Sequence, residues 1–182
     1  MLYLWYSVNE VIILTDFKRI NPEELSDNVF SLIAKDWTLI SAGSPDKYNM
    51  MTANWAGLGF LWRRNVCFLF IRPSRYTFEF TERENTLSLN FFDESFREVL
   101  NLCGKKSGRE IDKMRDVPLT PFELDGGCVA FKESRLVLNC KKICTADMET
   151  FNYIDTSILQ NYADGDFHKL YICEITEAFI KD

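Results

Sequence analysis

The chain has 182 residues, of which 47% are hydrophobic and 26% charged, and 21 Lys plus Arg against 27 Asp plus Glu give a formal charge of −6. That length and balance suit a single globular domain over 1–182 and exclude a disordered chain. The acidic excess argues against general nucleic-acid binding, where a basic field supplies most of the affinity, but it leaves room for a local basic pocket.

The opening Met1-Leu-Tyr-Leu-Trp-Tyr-Ser-Val lacks a basic start and a small-residue cleavage site, and Asn9-Glu10 interrupts it. Residues 1–20 are therefore read as an N-terminal extension or edge strand of a cytoplasmic protein. No stretch reaches the roughly 20 apolar residues needed to span a bilayer. A first helix is expected from Asn21-Pro-Glu-Glu to about Lys35, with Asn21 as cap, Glu24 completing a capping box, and Leu25, Val29, Leu32 and Ile33 on one face.

Strand-like runs follow at Trp37–Ala42, Met50–Ala53, Val66–Ile71 and Thr86–Phe92, the first two separated by the turn residues Gly43-Ser-Pro-Asp. A second helix is expected after Asp93, facing inward with Phe96, Val99, Leu100 and Cys103 and ending at Gly104. Val129–Phe131, Leu136–Cys140 and Leu170–Ile175 complete a mainly β pattern, that of a barrel or sandwich with peripheral helices. The six cysteines include no CxxC, and several sit in apolar runs, so they are read as buried reduced thiols and no metal site is expected.

Three segments have the makings of a ligand site. In Asn49-Met-Met-Thr-Ala-Asn-Trp-Ala-Gly-Leu-Gly a strand gives way to a glycine-bearing loop, where Thr52 and Asn54 offer hydrogen bonds and Trp55 a flat wall. Taken alone, the segment is better read as an ordinary strand and turn. In Arg72-Pro-Ser-Arg-Tyr-Thr, Ser74 is placed to cap a helix running through Glu79 and Phe80. Two arginines at a helix start are unfavourable unless an anion sits there; otherwise they are solvated surface residues. Gly104-Lys-Lys-Ser-Gly-Arg-Glu contains the spacing of a capping box from Ser107 to Glu110, beside residues that suit a polar ligand edge. His168 stands alone before a strand, without the partners of a hydrolytic triad.

Together, Asn49-Met-Met-Thr-Ala-Asn-Trp, Ile71-Arg-Pro-Ser-Arg-Tyr-Thr, Cys103-Gly-Lys-Lys-Ser-Gly-Arg-Glu-Ile-Asp-Lys and Asp166-Phe-His-Lys-Leu-Tyr resemble the flavin reductase-like FMN-binding split-barrel family, and its flavoredoxin branch. The resemblance implies a six-stranded antiparallel split barrel with peripheral α-helices, a homodimer, and non-covalent FMN near the dimer interface. It implies Thr52, Asn54, Arg72, Arg75, Tyr76 and Thr77 at the phosphate and ribityl end. It puts Asn49, Met51, Ala53 and Trp55 by the isoalloxazine or its chain. Ser107, Gly108 and Lys113 would stand at the ring's polar edge, with the partner subunit as an alternative source of them, and His168 is a further candidate contact. Asn54, Ala56, Glu110 and Cys173 depart from residues common at those places in the branch.

The activity so implied is that of an FMN oxidoreductase, taking electrons from NAD(P)H and passing them to a flavin, another small molecule or a redox protein. No protein nucleophile or acid–base dyad is then needed, and none is expected. The same motifs would serve a non-catalytic FMN carrier or storage protein. A ligand-free β-barrel interaction module is a third reading, one that leaves the paired arginines unexplained.

Overall fold

Extended strands, all paired antiparallel, form the frame of the described residues. The computed structural model describes residues 16–181, so the opening apolar run and Val11–Leu14 lie outside the described residues. Ten strands run β1 Phe17–Ile20, β2 Thr38–Ser44, β3 Lys47–Ala53, β4 Ala56–Leu61, β5 Arg64–Ile71, β6 Thr86–Phe91, β7 Pro121–Glu123, β8 Val129–Phe131, β9 Leu136–Asp147 and β10 Lys169–Lys181. The α-helices are α1 Val29–Ser31, α2 Tyr76–Arg83, α3 Arg97–Lys105 and α4 Lys113–Asp116.

One sheet has the order β3-β2-β6-β9-β10-β5-β4, with β1 added beside β10, and β7 and β8 form a separate ribbon. Every pairing is antiparallel. The large sheet thus has eight strands where six were expected. The split lies along β10: its first half, Lys169–Glu174, pairs with β5, and its last residues, Ala178–Lys181, pair with β1. On its other edge β9 follows it throughout, with register shifts at Ile172/Cys173 and Ile175/Glu177 that bend the long strand between its two partners.

β2 and β3 are covered on both faces. Ile40 and Met51 join the main core with Leu69, Leu89, Leu138 and Tyr171, whereas Leu39 and Met50 pack outward against Leu100 and Cys103 of α3. Gly43 makes the β2–β3 hairpin possible: its φ is +111°, and a β-carbon there would lie 2.3 Å from the Lys47 carbonyl oxygen. All six cysteines are free; five are buried and Cys144 is exposed. No helix among the described residues is long and apolar enough to cross a membrane.

The expected first helix breaks in two. The capping box forms, with Glu23 N–H on the Asn21 side chain and the Asn21 N–H on Glu24, but only a 3₁₀ turn Pro22–Glu24 follows. Leu25 turns extended, and Asn28 starts α1 afresh by accepting from Ser31 N–H. A cluster of cap-type residues, Ser26-Asp27-Asn28, competes with helix continuation. Gly104 does not stop α3, which runs on to Lys105 with Lys106 as its cap. The glycine-bearing segment after Trp55 is strand β4, paired to β5, not a loop. Strands β9 and β10 extend well beyond the apolar runs that marked them, because their far ends alternate with charged residues.

Candidate functional site

The connection from β3 to β4, two strands that do not pair with each other, and the turn from β5 into α2 lie together, and the segment before β10 covers them. Between them lies a cleft of about 480 Å³, within the range of about 300–1,000 Å³ common to small-molecule sites. Met51, Thr52, Ala53, Asn54 and Trp55 line one side, Arg72 and Arg75 another, and His168 a third. A second hollow of about 230 Å³ adjoins it across Met51, Ser74 and Arg75. Asn49, Tyr76, Thr77, Ser107, Gly108 and Lys113 line this one. The fold therefore gathers every singled-out residue around two connected chambers, and a single chain supplies them all. Phe70, Asp164 and Asp166 line the cleft as well; Asp166 opens one of the motifs that carry the resemblance, but the sequence singles out none of the three as a site residue. Phe70 lies on the face of β5 opposite Cys67, Leu69 and Ile71, which join the main core.

The cleft's walls are flat and fixed. The Trp55 ring lies 5.2 Å from His168, and His168 Nδ1 is 3.0 Å from the Tyr162 hydroxyl. Burial, and then the nearby Arg72 charge, push the His168 pKa down to about 4, so the imidazole is neutral near pH 7. Its Nε2 carries no hydrogen-bond partner among the described residues. Thr52 is committed elsewhere, since its hydroxyl donates to the Leu100 carbonyl of α3 at 2.5 Å.

The paired arginines have different duties. Arg72 donates to the Asn161 carbonyl (2.7 Å) and the Asp166 carbonyl (2.9 Å), reaches the Asp164 carboxylate at 3.4 Å, and stands over the Tyr162 ring. It latches the covering segment. Ser74 does not cap α2; Arg75 occupies that position, with no side-chain cap, while Ser74 donates through its N–H (3.3 Å) and hydroxyl (2.6 Å) to the Asp166 carboxylate. The helix start is satisfied instead by Asn49, whose carboxamide oxygen, turned toward α2, accepts from Thr77 N–H (3.2 Å) and Thr77 Oγ1 (2.7 Å).

Arg75 donates to the Gly104 carbonyl at 2.8 Å and pairs with no carboxylate among the described residues. Burial and the Arg72 charge lower its pKa. Lys113 is 4% exposed, donates to the Met50 carbonyl (2.8 Å) and the Cys103 carbonyl (2.9 Å), and likewise has no ion-pair partner among those residues. Burial lowers its pKa to about 8. Gly108 is tightly required: a β-carbon there would lie 2.2 Å from the Asn49 carboxamide and 2.7 Å from the Tyr76 ring. The Ser107–Glu110 pattern forms a single turn, with the Glu110 carboxylate accepting from Ser107 N–H, and Asp112 then caps α4.

A flat slot joined to a chamber containing uncompensated cations suits a planar ligand with an anionic tail. The family model of the flavin reductase-like domain matches residues 30–182. The chain belongs to that family. Solved structures of the family's kind share the fold at low identity. A flavoredoxin from Methanosarcina acetivorans is 20% identical over 81% of this chain and 69% of its own, with a TM-score of 0.64. An FMN-binding domain of a flavin reductase-like enzyme from Shewanella baltica OS155 is 17% identical over 91% and 77%, at 0.65. An NADH:FAD oxidoreductase from Streptomyces globisporus C-1027 is 12% identical over 79% and 73%, at 0.59. No curated protein sequence matches the chain.

Proposed function

We propose that the chain is a flavoprotein oxidoreductase of the flavoredoxin and flavin reductase type, with FMN as its cofactor. The observation that carries this reading is the junction at Arg75: an aromatic slot without net charge on one side, a cation-lined chamber on the other. Family membership and the FMN-binding relative from Shewanella baltica support it. The bound flavin would supply the redox chemistry, accepting hydride from NAD(P)H and passing electrons to a flavin, another small molecule or a redox protein.

The chain's own residues do the rest. Trp55 and Phe70 give the slot apolar walls that favour a flat ring by stacking and apolar contact. His168 presents Nε2 to the slot from a neutral ring whose other nitrogen Tyr162 holds, so it can share a proton there without adding charge. Asn54, in the connection between β3 and β4, offers amide donors to the slot. Assembly as a homodimer belongs to the same proposal. Phe60 and Trp62, 68% and 57% exposed on the β4–β5 hairpin, are apolar surface that a second copy would cover.

The test is to reconstitute the purified protein with FMN, remove free flavin, and follow visible absorbance anaerobically after adding NADH or NADPH. Bleaching of retained flavin is the expected result. Retained but unbleached flavin would favour a carrier, and loss of all flavin during removal would sink the cofactor assignment.

A further inference from the structure

We propose that a further hollow, between β4–β5 and the connection from β9 to β10, is a second binding site, which takes a small uncharged ring compound with one polar group at its edge. Its volume is about 450 Å³, within the range of about 300–1,000 Å³ common to small-molecule sites. Trp55, Ala56 and Phe70 line one side, and Met148, Ile158 and Tyr162 the other. The site does not depend on the flavin reading.

The lining sets the class of ligand. Among the described residues no carboxylate, lysine, arginine or histidine faces this hollow, in contrast to the cleft beside it. Several of its polar groups are already engaged within the protein. The Tyr162 hydroxyl lies 3.0 Å from His168 Nδ1, Asn161 Nδ2 donates to the Ile158 carbonyl at 2.9 Å, and the Asn161 backbone carbonyl accepts from Arg72 at 2.7 Å. A charged ligand would give up its hydration here without gaining an ion pair, whereas an uncharged ring carries no such cost. The Asn54 carboxamide also lines the hollow and makes no hydrogen bond among the described residues, so it has a donor and an acceptor free for one polar group.

The hollow is a cup with fixed walls. Tyr162 is buried and Ala56, Phe70 and Met148 are half-buried, while Trp55 and Ile158 remain 45% and 42% exposed. A flat ring would cover both of those apolar surfaces. On one side the backbone is held by the β4–β5 ladder, where Ala56 lies opposite Leu69. On the other, the 3₁₀ turn Thr156–Tyr162 starts from Asp155, whose side chain accepts from Ser157 N–H at 3.0 Å, and the Arg72 bond to Asn161 ties down its end. Asn54, Trp55 and Phe70 belong to the cleft and the hollow alike, so the two sites are continuous, but Ile158 and Met148 face the hollow alone.

The test titrates the full chain, without added flavin, with N-phenyl-1-naphthylamine, an uncharged ring compound with a single N–H whose fluorescence rises in apolar surroundings. Saturable binding at one site per chain is expected, with an affinity that varies less than about twofold over a tenfold rise in salt. Ile158→Arg, a change at a half-exposed position that should keep the fold, brings a charge into the cup and should weaken the probe about tenfold or more. Phe30→Ser removes an apolar side chain that is 86% exposed and outside the hollow, and should leave the affinity within about twofold. Absence of saturable binding overturns the proposal, as do equal losses in the two variants, which would mean that the probe adheres to apolar surface at large. An unchanged affinity in Ile158→Arg also overturns it, since the probe would then sit in the cleft. So does a wild type that binds no probe and a variant that loses self-association, because a second copy would then fill the hollow. None of these outcomes bears on whether the chain binds FMN.

Discussion

Arg72→Ala is expected to loosen the covering segment. The side chain is 23% exposed and makes two short bonds to carbonyls, of Asn161 at 2.7 Å and Asp166 at 2.9 Å. A hydrogen bond from a charged donor is worth about 1.5–3 kcal/mol, and water reaching this half-open site brings the pair to about 2–3 kcal/mol in all. Asp164, 66% exposed, adds little. If that energy holds residues 156–168 closed, its loss should raise the open population about 30- to 150-fold. Hydrogen exchange by mass spectrometry would show this as faster exchange confined to that segment, with earlier cleavage there in limited proteolysis. Riboflavin and FMN should weaken together, since both need the wall that carries His168. Unaltered exchange across 156–168 would refute the reasoning, and selective loss of FMN with unaltered exchange would return Arg72 to the phosphate.

Two further outcomes follow from the geometry. Gly108→Ala should destabilise the protein by about 1–3 kcal/mol in urea unfolding, because the new methyl group overlaps the Asn49 carboxamide and the Tyr76 ring; a midpoint shift near zero would show that the turn gives way freely. His168 is held neutral with a folded pKa of about 4, below its ordinary 6.5, so the unfolded chain takes up the proton first. Stability should therefore fall as pH drops from about 6.5 to about 4, by at most about 1.4 kcal/mol per pH unit from this group. His168→Gln should flatten that part of the profile, and an unchanged slope would assign the acid sensitivity to carboxylates instead.

Local order was readable in the chain where the physics is local. The short apolar run Val66–Ile71 and the run Thr86–Phe92, apolar at every second residue from Leu87, marked strands that the structure forms as β5 and β6. The break at Leu25 was harder, since cap and helix signals compete over the same few residues and Asn28 wins a second start. β4 was missed because its glycines, Gly57 and Gly59, read as a loop; they lie against the Phe68 ring of the paired strand. At the site, the residues of the three motifs do converge on connected chambers. What the motifs do not reveal is that Arg72 is neutralised by a segment 92 residues downstream. Residue types near a helix start suggest an anion; only the tertiary structure shows that the protein brings its own.

That distance also orders the assembly of the site in time. The β5–β10 pairing joins Ile71 to Lys169, so both walls of the cleft meet only through contacts spanning about a hundred residues. Closing such a loop is slow, and its entropy is lost before the contacts form. During synthesis, the β4–β5 hairpin that follows Trp55 and the turn with Arg75 can form early through local contacts, but the slot has no third side until β10 docks and carries His168 into place. Ligand-binding competence thus depends on the docking of β10, and a flavin present during folding would select the fully docked sheet.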